Sequence, residues 1–320
     1  MHQVRKNIEL RDLHIVFGQS EAEMLLPQRM HPRNRDPVLE AGTIPGAFGH
    51  GRKTGTKKRL HLFKIERIMF KVEQISEGFN MAQVALKVIR PLVKASSFLS
   101  PGLTGRLAFR LFCTPIGRTR PNRQSANFKR TEALFAKARV QTVSYGCGFV
   151  RSFTFEPDSP SRGTVLMLHG WTGEAITMAG FIETMLERGF RVIAPDLPAH
   201  GGSSGRQLTF PLAMQALNAL LRTEKPLAGI VAHSFGGSIG MAAMAGGIAA
   251  VPAIVPRRFV SIAAPSTMQV YGRQFSDMLG LTRRGHRAFE DKVLRIAGRP
   301  MESFSGREFL AQSRVPSLII

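Results

Sequence analysis

The sequence predicts an α/β architecture, a mainly parallel sheet with helices on both faces, and three observations lead there. Apolar runs of strand length recur at 164–168, 191–195, 229–233 and 258–264. Stretches of helical length separate the first three and follow the third, at about 175–188, 210–222 and 235–247. Alternation of this kind favours parallel pairing, since each strand is reached through a crossover helix. Thirdly, two of the strands run directly into small-residue turns, at 169–173 and 232–237, where an open sheet places its chemistry.

Taken in chain order, residues 1–68 carry no sustained periodicity. Pro, Gly and charge dominate, as in Met30–Pro37 and the basic run 52–59; the run 52–59 reads either as a polyanion-binding patch or as part of a disordered basic extension, for which a start at Met69 or Met81 is one origin. Residues 69–139 read as a helical segment. On a helical wheel Met81, Val84, Ala85, Val88, Ile89 and Leu92 share one face and Lys87, Arg90 and Lys94 the other, with a break or kink expected near Pro91. Such a basic amphipathic helix (81–94) either lies on an anionic membrane surface or packs on its own protein. A second helix is expected from Asn127 to Arg139. It leads into two runs, 140–145 and 148–155, that read as an antiparallel hairpin turning near Gly146. The core is expected to span 140–320, with a cap at about 266–313 containing a helix near Arg287–Ile296 and a last strand at 315–320.

Three motifs carry chemistry. Ala232-His233-Ser234-Phe235-Gly236-Gly237 follows the strand Gly229-Ile230-Val231 and opens a small-residue helix. A strand, a tight turn with Ser at its tip and a helix make a nucleophile elbow, in which the positions two before and two after the Ser must be small; here they are Ala232 and Gly236. The strand 164–168 ends in His169-Gly170-Trp171-Thr172-Gly173, a loop able to present backbone N–H groups to a developing oxyanion. The strand 191–195 ends in Asp196 and the loop Leu197-Pro198-Ala199-His200-Gly201-Gly202-Ser203.

In their order and spacing these motifs make the chain resemble the α/β-hydrolase family over roughly 140–320. The resemblance implies an α/β-hydrolase fold with a small helical cap, and a serine hydrolase of esterase type acting on a small-molecule carboxylic ester or related acyl substrate. It casts Ser234 as nucleophile and the N–H groups of Trp171 and Phe235 as the oxyanion hole, with no cofactor and no metal. His169, Gly170, His233, Gly236, Asp196 and His200 are expected to shape the site, the histidines by positioning backbone rather than by moving protons. In this family the acid and the histidine follow the Ser, the acid just past a late strand and the His some tens of residues later. The chain is therefore expected to be truncated before both. His286, flanked by Arg283, Arg284 and Arg287, reads as part of a solvated basic face. Met268, Phe275, Met278, Leu279 and Leu281 either line an acyl pocket or dock the cap. A chain without the acid and His would be a non-catalytic remnant, or a basic protein that binds anionic surfaces.

Composition bounds the rest. The net charge of +22 comes from 44 basic and 22 acidic residues, and its densest excess lies in 61–161, with 16 against 6. Such charge favours polyanions in general, yet no zinc-finger, RNP or helix-turn-helix signature marks a specific nucleic-acid site. The two cysteines, Cys113 and Cys147, form no metal or redox motif and fit a reducing compartment. With no apolar core of a secretory signal in the first residues, a cytoplasmic location is expected.

Overall fold

The computed structural model describes residues 87–116, 126–224 and 226–320. The expected basic extension 1–68, and the part of the amphipathic stripe before 87, lie outside the described residues. From Arg90 to Ile320 the described residues belong to one compact unit; Leu25–Ile89 belong to another, of which 87–89 are described.

A helix (α1) described from 87 to 99 precedes α2 (Pro101–Phe112) and α3 (Ala126–Ala136). The hairpin is β1 (Arg139–Tyr145) and β2 (Gly148–Phe155), turning at 146–147 as expected. Next come β3 (Thr164–Leu168), a 3₁₀ turn (Ala175–Met178) with α4 (Ala179–Glu187), β4 (Arg191–Pro195), α5 (Phe210–Leu220), β5 (Leu227–His233), α6 (Phe235–Met244) and β6 (Phe259–Ile262). The cap holds α7 (Met268–Leu279), α8 (Arg283–Ala297), a 3₁₀ turn (Met301–Ser303) and α9 (Gly306–Ser313), and β7 (Ser317–Ile319) follows.

The strands form one sheet in the order β1-β2-β4-β3-β5-β6-β7. β2 pairs antiparallel with β1 and β4, and every pair from β4 to β7 is parallel. The two-residue period of a strand feeds two cores. Val165 and Met167 of β3 join Val192, Ala194 and Val231 on one face; Leu166 and Leu168 join Ile193, Ile230 and Ala232 on the other, under α5 and α6. Leu166, Met167 and Leu168 are fully buried, which stabilises the sheet centre by about 1.5–3 kcal/mol per side chain.

The register aligns the strand ends. Leu168 lies opposite Ala232, and His233 opposite Ile262, so the loops after β3, β5 and β6 emerge side by side. β3 is also where the winding reverses: the chain leaves it for β4 on one side and returns past it to β5 on the other. Open α/β sheets bind ligands at such a switch point, beyond the carboxyl ends of the strands.

Two expectations change. Helix α1 runs through Pro91 to residue 99 rather than breaking there. Its later turns are anchored by Val93, packed against the core, and by Ser97, buried and hydrogen-bonded to Thr282 at 2.8 Å, and that anchoring outweighs one lost ladder bond. His286 is not on a solvated face. Its Nδ1 lies 2.7 Å from Ser276 Oγ and its Nε2 3.2 Å from Glu290, and its ring stacks on Phe289. The buried stripe of α8 (Gly285, Phe289, Val293 and Ala297) brings position 286 against α7 despite its arginine neighbours. Among the described residues no helix is long and apolar enough to cross a membrane.

Candidate active site

Ser234 stands between β5 and α6 with φ 50° and ψ −124°, a conformation a non-glycine residue adopts only when its surroundings enforce it. Its N–H donates to Ile262 O at 2.8 Å and its carbonyl accepts from Gly237 N–H at 2.8 Å, which ties the turn to β6 and to the first turn of α6. Gly236 explains why the turn must be small. A Cβ there would lie 2.5 Å from His169 O and 2.7 Å from Leu168 O, backbone atoms of a central strand that cannot yield. Gly170 makes a close but looser approach from the β3 side, where a Cβ would sit 3.0 Å from Ser234 Cβ and 3.1 Å from His233 Nδ1. The elbow and the His-Gly-Trp loop are thus brought together, as the sequence predicts.

The side chains around Ser234 are aromatic. The Trp171 ring meets the Phe235 ring at 5.2 Å and the His200 ring at 5.6 Å, both edge-on. Phe235 also meets Phe210, whose ring lies 4.5 Å from that of Phe304 in the cap, tilted by 40°. Phe210 and Phe304 join the site's surroundings without having been singled out from sequence, since their only signal is apolar residues beside a Thr N-cap and a Ser N-cap. As the first residue of α6, Phe235 carries an N–H that the helix's own ladder cannot use.

Histidines and one carboxylate lock the loops. His169 is completely buried. Its Nε2 accepts from Leu197 N–H at 2.9 Å, so the ring proton is on Nδ1, which donates to Gly170 O at 2.8 Å. Desolvation by burial is the main cause that pushes its pKa down to about 4, which keeps it neutral. His200, also buried, accepts at Nε2 from Thr172 N–H at 3.2 Å and donates from Nδ1 to Pro198 O at 2.9 Å. Each imidazole therefore bridges the loop after β3 to the loop after β4.

Asp196 does similar work with its two oxygens, Oδ1 accepting from Ala175 N–H and Oδ2 from Gly202 N–H, both at 2.8 Å. Burial raises its pKa, against the lowering effect of those two N–H groups and of the nearby Arg151 cation. Ser203 completes the loop, donating to Asp196 O at 2.6 Å and accepting from Arg151 N–H at 2.8 Å. Ser203 was legible as a turn serine but not as a clamp, because the partner that defines it lies 52 residues away.

Two further placements bear on chemistry. Among the described residues the Ser234 hydroxyl makes no hydrogen bond, and His286 is held within the cap by Ser276 and Glu290. Met268 and Leu279 are buried in the cap–core junction, and Phe275 lies 5.1 Å from Phe112 of α2, so these residues dock the cap. Among the described residues no group of His, Cys, Asp and Glu could hold a metal ion.

A mainly parallel switch-point sheet with a strained serine between strand and helix, next to a Gly-bearing loop, is the arrangement of an α/β protein of the hydrolase class. The family model described as "Alpha/beta hydrolase family" matches residues 165–317, so this stretch of the chain, with the fold built on it, is that of an α/β hydrolase. No curated protein matches the sequence. Among solved structures it is similar to the Pyrococcus furiosus esterase Pf2001, at 16% identity over 65% of this chain and 76% of that one, with a TM-score of 0.45. It is also similar to a proline iminopeptidase of Mycobacterium smegmatis, at 15% identity over 57% and 80% of the two chains, with a TM-score of 0.40. A Vigna radiata epoxide hydrolase mutant matches at 20% identity and a TM-score of 0.33, over 41% of this chain and only 40% of that one.

Proposed function

We propose that the chain is a serine acyl hydrolase, with Ser234 as its nucleophile and a small or medium carboxylic ester or related acyl compound as substrate. The observation that supports this most is the backbone of Ser234 itself. A serine held at φ 50°, ψ −124° between a central strand and a helix N-terminus, only partly covered and with an unengaged hydroxyl, is strained for a reason other than packing. In the proposed reaction Ser234 Oγ bonds to the acyl carbon while its proton passes to a general base. The carbonyl oxygen becomes an oxyanion facing the N–H groups of Phe235 and Trp171, the first reinforced by the positive end of α6. Collapse breaks the acyl–oxygen bond as the base returns the proton to the departing alcohol, and water, deprotonated by the same base, then cleaves the acyl-serine and restores the Ser234 hydroxyl. The reaction so drawn uses no metal or cofactor. The base is neither His169 nor His200, whose ring nitrogens are committed to backbone groups.

A second reading is a non-catalytic protein of hydrolase fold, favoured by the fact that the Ser234 hydroxyl has no histidine bonded to it among the described residues. One experiment separates the two: labelling by a fluorophosphonate, with hydrolysis of a p-nitrophenyl butyrate ester in parallel. Labelling and turnover in the wild type that fall by at least about a thousandfold in Ser234→Ala support the enzyme. A wild type that does neither, or a Ser234→Ala variant that still does both, overturns it.

A further inference from the structure

We propose that the outer face of α1 and α2 docks onto a lipid bilayer carrying anionic headgroups. Helix α2 is apolar on two sides. Thr104, Gly105, Ala108 and Phe109 face inward and are buried, with Gly105 closely packed on Ala288 of α8. Leu103, Leu107 and Leu111 recur at every fourth position, so they form a second stripe on the outside, 48%, 56% and 39% exposed. At the junction of the two helices Phe98 and Leu99 are 78% and 84% exposed, and Leu92 of α1 is 66% exposed. Large apolar side chains this exposed, and this concentrated along the chain, mark an interaction surface.

Charge decides what covers it. Arg106 and Arg110 lie one position before Leu107 and Leu111 and so run alongside the leucine stripe, and both are exposed, as is Lys94 of α1, whereas Arg90 donates to Asp277 O of α7 at 3.2 Å. Between Gly78 and Thr131 the sequence has ten Lys or Arg and no Asp or Glu. A second copy seated on this face would set like charge against like. A nucleic acid would satisfy the arginines but offer nothing to a stripe of aliphatic side chains, which carry no donor or flat ring for bases. A bilayer with anionic headgroups satisfies both: leucines enter the acyl boundary while the long cationic side chains reach up to the phosphates. The surface continues the stripe expected at 81–94 through Phe98 and Leu99 onto α2, and it stands independently of the reading of Ser234.

The test is flotation of the full 320-residue chain with vesicles of phosphatidylcholine, alone or with about 30% phosphatidylglycerol, at about 0.1 M and about 0.5 M salt. The wild type is expected to bind the anionic vesicles at least about tenfold more strongly than the neutral ones, and more weakly at high salt. The pair Arg106→Gln/Arg110→Gln is expected to weaken binding by about 25-fold, about fivefold per cation. The pair Leu103→Gln/Leu107→Gln is expected to weaken it by at least about tenfold at either salt, with no fall in melting temperature. Ser234→Ala should float like the wild type, which keeps this result separate from the outcome for hydrolysis. Equal binding to both vesicles, or binding that survives both pairs, overturns the proposal. A lower melting temperature in the leucine pair would show the stripe covered by the chain itself, and a dimer lost in that pair without change in flotation would make it an interface between copies; either also overturns it.

Discussion

Replacing His169 by Gln should flatten the acid side of the protein's pH–stability profile. The wild-type imidazole is completely buried, bonded at Nε2 by Leu197 N–H and at Nδ1 to Gly170 O, and its pKa is held at about 4 against an ordinary 6.5. The unfolded chain takes up a proton near pH 6.5 and the folded chain only near pH 4. Between those values the unfolded state holds more protons, so stability is fully present above about pH 7 and declines as the pH falls. The interval between 6.5 and about 4 corresponds to about 3 kcal/mol in all, of which about 2 kcal/mol is gone by pH 5. Gln can still accept from Leu197 N–H but does not titrate. The variant should be less stable at pH 7.5 by about 1–3 kcal/mol, for the lost bond to Gly170 and poorer packing, yet should lose about 2 kcal/mol less than the wild type on going to pH 5. Urea unfolding at the two pH values, followed by circular dichroism and by the emission of Trp171, the single Trp, measures both terms. If wild type and variant lose the same stability between pH 7.5 and pH 5, His169 is not kept neutral by its burial and the reasoning fails.

The strain at Ser234 predicts opposite signs for stability and activity. Ser234→Gly, which can adopt φ 50° at no steric cost, should raise unfolding stability by about 1 kcal/mol while removing fluorophosphonate labelling; a destabilised Gly variant would mean the backbone there is not strained. Gly105→Ala tests the α2–α8 contact. Its Cβ would lie 2.7 Å from Ala288 Cβ and 2.7 Å from Phe289 N, so despite the better helix propensity of Ala it should cost about 1–3 kcal/mol; an unchanged or raised melting temperature would refute the close packing.

Strand positions, the hairpin and the elbow were legible because local chemistry dictates them. A five-residue apolar run such as Thr164–Leu168 has few states open to it but a buried strand, and Ala232 and Gly236 around Ser234 leave room for a turn that larger residues would block. Helix α2 was not foreseen as a distinct element. Pro101, Gly102 and Gly105 lower its helical signal, and what offsets them is the approach to Ala288, 183 residues along the chain. The same distance hid the outward leucines: Leu103, Leu107 and Leu111 have the spacing of a core face, and only the packing of the opposite side on α8 shows that they point to solvent.

The chain's sequence by itself determined which segments are strands, which serine sits on an elbow, and that His169, Asp196 and His200 belong to turns beside it. The tertiary structure decided which backbone groups those three engage. Whether a histidine moves a proton or pins a loop depends on what lies at each ring nitrogen, and for His169 and His200 those partners are backbone groups, Leu197 N–H and Thr172 N–H, each 28 residues away. Asp196 is expected to shape the site, and the structure shows how: both its oxygens are engaged by N–H groups, those of Ala175 and Gly202. Propensity and pattern act over a few residues, whereas desolvation and hydrogen-bond partnership are fixed only when distant segments meet, and the chemistry of a buried polar group follows from those two.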